Sequence, residues 1–408
     1  MVNIAVLGYG TVGSGVYEVI KRNSSIVNHK AKEEIKIKYV LDLRDFPNQE
    51  VQNIITHNFD DILNDDSIKV VVEVMGGTGA AYKFVKAALL KGKHVATSNK
   101  ALVAAYGSEL LDIARQKNVN FLFEASVGGG IPILRPLTSS ITADKILEIT
   151  GILNGTTNYI LTEMTQKKSK YDDVLKEAQA LGYAEADPSA DVEGHDACRK
   201  IAILSSLAFG KTANFEEIYT EGISKITAKD IEYATKLNSC IKLVGTSKNL
   251  ESGISAMVAP MILSNNHPLS NVDGVFNAIF VKGNVLGDTM YYGSGAGSLP
   301  TASAVVSDVV DIVRHINENI GIDWTSEKLD ILDINNVPVK ALLRVSGEIG
   351  FVRDKANEIF ENVEFIDLDT IDDEIGIIVD NETEGSIKEK IEIFRKDAEI
   401  RSMLRMDK

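Results

Sequence analysis

Cysteine is nearly absent from this chain. Only Cys198 and Cys240 occur in 408 residues, which argues against a disulfide framework and for a reducing, cytoplasmic setting. Basic charge is in deficit. The 43 Lys and Arg residues face 58 Asp and Glu, a formal −15, and this argues against nucleic acid or an anionic membrane as a partner, because both need a basic surface. No apolar stretch approaches the length that spans a bilayer. An apolar strand-like run is already under way at residue 4, so no signal peptide is expected. Low-complexity tracts, short internal repeats and zinc-type spacings of Cys and His are also missing. His94 and His195 therefore read as structural. Cys198 has no His/Asn partner pattern nearby and reads as a packing thiol. What is present is 44% hydrophobic residues over a length that suits two or three globular domains.

Residues 1–138 alternate apolar runs with helical periods. Strands are expected near 4–7, 35–41, 70–74, 94–97 and 120–124, with helices at 11–21, 80–90 and 102–117. Runs such as V-V-V-E-V at 70–74 are nearly continuous in apolar character and suit a parallel sheet covered on both faces. The pattern predicts α/β architecture, a Rossmann-type doubly wound parallel sheet, completed by an amphipathic helix at about 301–318. Residues 139–300 predict a second, α+β domain. Its antiparallel strands are placed at 146–153, 254–258, 278–281 and 288–292, and its helices at 171–181, 193–209 and 228–237. Residues 319–338 read as a linker. From 339 to 408 the order is strand (339–345), helix (352–361), strand (363–369), strand (375–380), helix (385–396), as in a small ferredoxin-like module.

The motif G-Y-G-T-V-G follows the first strand and opens a helix. Gly8 permits the tight turn, Gly10 lets backbone approach a pyrophosphate, and Gly13 allows close helix–strand packing. Thr11 and Val12 begin the helix whose N-terminal N–H groups and dipole favour phosphate. At the end of the second strand stand Asp42, suited to a ribose 2′-hydroxyl, and Arg44, suited to a 2′-phosphate. The pair leans slightly to NADP, or to use of both NADP and NAD.

Ser98 and Lys100 lie at the carboxyl end of a parallel strand, where open α/β sheets bind ligands. Lys100 faces the nicotinamide or the substrate, or else is a solvated lysine at a helix start. The run from Phe123 to Ile131 holds three consecutive glycines, Gly128 to Gly130. Their freed carbonyls can bind a hard monovalent cation or simply form an interdomain hinge. The run G-I-L-N-G-T-T-N-Y from Gly151 to Tyr159 is a small-residue turn able to hold a small polar ligand. Asp196 and Lys200 share one helical face at i, i+4. An aspartate can orient a lysine and hold it charged, and such a lysine beside a carbonyl can act as general acid. Glu185, Asp187 and Asp191 precede that helix and can grip an ammonium group. The competing reading is a surface ion pair of minor energetic weight.

Taken together these segments resemble homoserine dehydrogenase. The matching stretches are G-Y-G-T-V-G (8–13), S-N-K-A-L (98–102), F-E-A-S-V-G-G-G-I-P-I (123–133), G-I-L-N-G-T-T-N-Y-I-L (151–161), the run from Glu177 to Lys200, and G-S-G-A-G-S-L-P-T-A-S-A-V-V-S-D (293–308). The resemblance implies reversible NAD(P)H-dependent reduction of L-aspartate 4-semialdehyde to L-homoserine. It implies Lys200 as proton donor and acceptor, Asp196 as its partner, and Lys100 as a second lysine at the reaction centre. Glu185, Asp191 and Thr156 match substrate-binding positions, and Gly182 and Gly297 positions near the cofactor. A sodium-like ion is implied on Glu124, Val127, Gly129 and Ile131, largely through backbone carbonyls. The C-terminal residues resemble a regulatory ACT module, although the usual turn after its first strand is replaced by Ser346-Gly347-Glu348-Ile349-Gly350. A homodimer through the second domain's sheet is implied as well. The competing functions are another NAD(P)-dependent amino-acid-pathway reductase and an inactive nucleotide-sensing regulator. The intact Asp196/Lys200 set and the Asn154–Asn158 turn disfavour both.

Overall fold

The strands Val2–Leu7 and Ile68–Glu73 are buried over almost their whole length, so neither face can be given to water. They pair in parallel at the centre of a six-stranded sheet. Its spatial order is Ile55–Thr56, Ile35–Leu41, Val2–Leu7, Ile68–Glu73, His94–Thr97, Phe121–Leu122. The order reverses between Val2–Leu7 and Ile68–Glu73, and that reversal opens the crevice in which doubly wound sheets bind ligands. The computed structural model describes residues 1–395 and 397–407. Lys396, the expected end of the last predicted helix, and Lys408, the end of the predicted C-terminal module, lie outside the described residues.

The helix Ser298–Arg314 returns to this sheet as its pattern predicts. Its buried stripe, Ala302, Val305, Val309 and Ile312, recurs at helical spacing and packs on the helix Thr11–Arg22. The approach is close: Ser298 Oγ donates to the Thr11 carbonyl at 2.6 Å.

A second, larger sheet carries the rest of the chain. Its main path runs Gly287–Ser294, Phe276–Gly283, Ile146–Ile152, Ser239–Leu250, Gly253–Ser264, then Glu399–Met406, Pro338–Ser346, Glu374–Thr383 and Val363–Ile366. The first five strands are antiparallel. The last four, with the helices Ile349–Ile359 and Glu384–Phe394, form a complete β-α-β-β-α-β ferredoxin-like unit. Its terminal strand, Glu399–Met406, is absent from the sequence-based expectation, and it joins the unit to Gly253–Ser264 through two parallel pairs, Met261↔Arg405 and Ile262↔Met406. Two buried arginines tie the unit down. Arg344 makes a bidentate pair with Glu374 and reaches Asp230 at 2.8 Å, while Arg405 does the same with Glu384 and reaches Glu221 at 2.7 Å. Charges this deep persist because every guanidinium faces carboxylates.

Three local expectations are corrected. The run at Gly151–Tyr159 is not only a turn: it opens a 13-residue helix, Gly155–Lys167, capped by the Asn154 side chain. The strand Ser239–Leu250 went unread because Lys242 and Lys248 break its apolar pattern. Lys242 is nonetheless buried, held by Asp273, the Val272 carbonyl and Asn158. The segment expected as a linker is packed down. Thr325–Lys328 pairs with Lys211–Thr212, and Trp324 is fully buried with Nε1 donating to Thr212 at 3.0 Å.

Trp324 sits over Gly107 in the helix Lys100–Lys117. Helix propensity alone favours alanine there by about 1 kcal/mol. A Cβ, however, would fall 2.6 Å from the indole ring, and overpacking costs about 1–3 kcal/mol. Gly107→Ala is therefore expected to lower the denaturant midpoint. A raised midpoint would show that the ring yields freely.

Candidate active site

The helix His195–Phe209 starts after Gly194, whose φ of +83° turns the chain out of the short helix Ser189–Val192. The i, i+4 spacing then directs Asp196 and Lys200 to the same side, where both are buried. Lys200 Nζ lies 2.8 Å from Asp196 Oδ2 and donates to the Leu153 carbonyl at 2.7 Å. Lys100 arrives from the first domain and places its Nζ 2.5 Å from the other oxygen, Oδ1. One carboxylate thus stands between two ammonium groups from opposite walls. Burial works to raise the Asp196 carboxyl, but Lys200 and Lys100 outweigh it and hold it well below the usual carboxylate range. Burial pulls the Lys200 ammonium below its ordinary value in spite of Asp196.

Asn154 organises the acids and was not singled out from the sequence as a site residue. Its Nδ2 donates to Asp191 Oδ1 at 2.7 Å and to Asp196 Oδ2 at 3.0 Å, while its Oδ1 accepts from Thr157 N at 2.9 Å. The available signal was Asn before a helical run, which marks an N-cap. Thr156 Oγ1 donates to the Tyr183 carbonyl at 2.6 Å and to Asp191 at 3.3 Å. Beneath the crevice lies Glu73, another buried acid the sequence reading passed over. It accepts from Thr97 Oγ1 at 2.6 Å and from Met75 N at 2.8 Å, and burial pushes its carboxyl up to about 7.

These groups line one cavity of about 570 Å³. It gathers Lys100, Lys200, Asp196, Asp191 and Thr156 with the cofactor candidates Thr11, Val12, Ser98, Gly182 and Gly297. Val127 and Gly129 line it too. Gly8, Gly10 and Arg44 border an adjoining cleft of about 580 Å³ with Asp42, Met75 and Gly76. Gly13 lines neither: it packs under the turn, where a Cβ would lie 1.9 Å from the Gly8 carbonyl oxygen. Around Gly10 nothing lies within 4 Å of a built Cβ, so space for a pyrophosphate adjoins the helix N-terminus. The cradle therefore fits a dinucleotide. Glu185 is exposed and does not line the cavity.

The triple-glycine turn is a joint between the domains. A Cβ on Gly129 would fall 2.2 Å from the Gly295 carbonyl oxygen. The Glu124 carboxylate is used by three backbone donors, the N–H groups of Ile133, Leu134 and Arg135. Its own N–H donates to Asp308 on the return helix, and Asp308 also meets Arg135 at 2.8 Å. Among the described residues no cluster of three His, Cys, Asp or Glu side chains could hold a metal, so an ion at Glu124, Val127, Gly129 and Ile131 would rest on carbonyl oxygens. His94 is buried and bonded at both ring nitrogens: Nδ1 accepts from Asn120 N at 2.9 Å and Nε2 donates to the Ile316 carbonyl at 3.1 Å. Cys198 is buried with its thiol directed at the Phe215 carbonyl. No helix among the described residues is long and apolar enough to cross a membrane.

Comparison with known proteins agrees with this architecture. Residues 8–124 match the family model described as homoserine dehydrogenase, NAD binding domain, and residues 132–310 match that described as homoserine dehydrogenase. A homoserine dehydrogenase of Neisseria gonorrhoeae is 47% identical over 316 residues, which is 77% of this chain and 72% of that protein. One from Bacillus subtilis is 44% identical over 332 residues, 80% of this chain and 75% of that protein. The crystal structure of a homoserine dehydrogenase from Thiobacillus denitrificans superposes with a TM-score of 0.92 at 37% identity, covering 100% of this chain and 98% of that one. A hyperthermophilic archaeal homoserine dehydrogenase in complex with NADPH gives a TM-score of 0.65 at 30% identity, over 76% of this chain and 97% of that one. The chain belongs to the homoserine dehydrogenase family of nicotinamide-dependent oxidoreductases.

Proposed function

We propose that Lys200 is the proton donor when this chain reduces L-aspartate 4-semialdehyde to L-homoserine, with Asp196 as its partner and Lys100 as a second cation at the reacting oxygen. The observation that carries the reading is the buried Asp196 carboxylate held by both lysines at the cavity wall. When bound, the nicotinamide supplies the hydride to the aldehyde carbon or takes it back. Negative charge then builds on the oxygen. The Lys200 ammonium stabilises that charge and gives up its proton to it. In the reverse direction the neutral amine accepts the proton of the homoserine hydroxyl. Burial keeps that amine within reach by lowering its pKa. Asp191 and Thr156, which line the cavity, are assigned to the substrate's ammonium group.

Arg44 is the basis for a lean to NADP with NAD also used. Its guanidinium makes bonds of 2.9 and 3.0 Å to Asp42 and one to the Tyr9 carbonyl. The acid that would accept a ribose 2′-hydroxyl is thereby neutralised, and the cleft favours a 2′-phosphate. A sodium-like ion is assigned to the carbonyls of the 124–131 turn. The ferredoxin-like unit is read as an ACT-like regulatory module. The exposed Met290 and Tyr292 on the sheet-edge strand Gly287–Ser294 are read as part of a homodimer face. Both cysteines are unpaired, in keeping with a reducing cytoplasm.

Lys200→Ala is expected to lose about 10²–10⁴-fold in turnover while dinucleotide affinity, measured by fluorescence titration, is kept. Retained turnover would remove Lys200 from the role. In the intact enzyme, kcat/KM for homoserine oxidation should rise with pH, and that for aldehyde reduction should fall, through one titration below that of an ordinary lysine. Asn154→Asp keeps a good helix cap but cannot donate to the two aspartates. It should raise the KM for homoserine by about tenfold or more, most at high pH where the new carboxyl is charged; wild-type kinetics would reduce Asn154 to a cap. Arg44→Ala should raise the KM for NADP by about tenfold and spare NAD, and an equal loss for both would place the arginine outside cofactor choice.

A further inference from the structure

Asn277 occupies a position where the sheet has no use for an amide. It lies on the strand Phe276–Gly283 opposite Gly293, and the next residues on its face, Ile279 and Val281, belong to the apolar core. It is 2% exposed. Among the described residues no hydrogen bond engages its carboxamide, and Oδ1 is fully buried without a partner. Buried polar groups in folded proteins almost always have partners, because the lost hydration is otherwise uncompensated. An apolar side chain would serve the fold better here, so the amide points to a ligand.

The wall in which it sits narrows the choice. Asn277 lines the active cavity between Gly155 and Gly295. A Cβ on Gly295 would fall 2.0 Å from Asn277 Nδ2, so the amide is pressed against the glycine backbone. The same loop continues to Gly297, on the side of the cavity shared with Thr11 and Val12. The substrate brings charged groups and a reacting oxygen, and the cavity meets these with Asp191, Lys100 and Lys200. The nicotinamide brings a neutral carboxamide that both donates and accepts. Asn154, the other carboxamide in the wall, is already spent on Asp191, Asp196 and Thr157. We propose that Asn277 binds the nicotinamide carboxamide: a half-turn of its amide exchanges the buried Oδ1 with Nδ2, lets Oδ1 accept the ring's amide N–H from the cavity, and so fixes the rotation of the ring that presents C4 to the substrate. The proposal rests on the dehydrogenase reading above. It makes Asn277 a cofactor-binding residue with no part in proton transfer.

The 3-acetylpyridine analogue of the cofactor tests it, because it keeps the carbonyl but lacks the N–H that Oδ1 would accept. Wild type, Asn277→Leu and Asn277→Asp are compared with the natural and analogue dinucleotides, and ADP-ribose binding reports the integrity of the nucleotide domain. In wild type the analogue should cost about tenfold in affinity. In Asn277→Leu that penalty should shrink to about twofold or less, with ADP-ribose affinity and the KM for homoserine unchanged. Asn277→Asp preserves the shape and the acceptor and should retain the penalty, which keeps the test decisive if the leucine variant folds poorly. An equal analogue penalty in wild type and Asn277→Leu, or a KM for homoserine that rises while cofactor affinity stands, overturns the proposal. Failure of wild type to bind either dinucleotide would instead overturn the dehydrogenase reading.

Discussion

A single desolvated carboxylate governs the centre of this molecule. Asp196 is compensated by two cations, and the cations come from different folded units, Lys200 four residues along its own helix and Lys100 from the start of the helix that follows the strand His94–Thr97. Two ammonium groups offset the desolvation of Asp196, and Asp191, bridged to it by Asn154 Nδ2, brings a second acid to the same wall. The arrangement also ties chemistry to architecture. The cluster exists only while the two units keep their relative position, and Asp308 on the return helix, bonded to Glu124 N and to Arg135, helps to hold that position.

Much of this was legible in the sequence because local patterns and their consequences coincide. The glycine turn at 8–13, the apolar strand at Ile68–Glu73 and the i, i+4 pair at 196 and 200 each carry their meaning within a few residues. The return of the 298–314 helix was also readable from its periodicity. What escaped was set by distant partners. The strand Ser239–Leu250 looks polar until Lys242 is seen against Asp273 and the Val272 carbonyl. Glu399–Met406 was hidden by Arg401 and Arg405, and Arg405 is apolar in effect only because Glu384 and Glu221 surround it. Asn154 was legible as a cap, yet its two donations to acids 37 and 42 residues away were not. Glu185 ran the other way: its place in the sequence suggested a substrate contact, and its side chain stands exposed outside the cavity lining.

The same logic connects the C-terminal unit with the site. Arg405 reaches Glu221, and two residues on, Ile223 N donates to the Val192 carbonyl at 2.8 Å, at the entrance to the helix His195–Phe209. The unit is therefore joined to the segment that presents Asp196 by buried charges rather than by a loose tether. Arginine is suited to that duty because its planar fork satisfies a carboxylate with two bonds at once.

The joint at Gly129 and Gly295 contains no side chain whatever. Main chain rests on main chain, and Gly295 is in turn covered by Asn277. A methyl group at Gly129 would drive a wedge against the Gly295 carbonyl and part the two folded units without touching an ionisable group, whereas one at Gly295 would meet the Asn277 carboxamide. The molecule is therefore least forgiving of change at positions that carry no chemistry of their own.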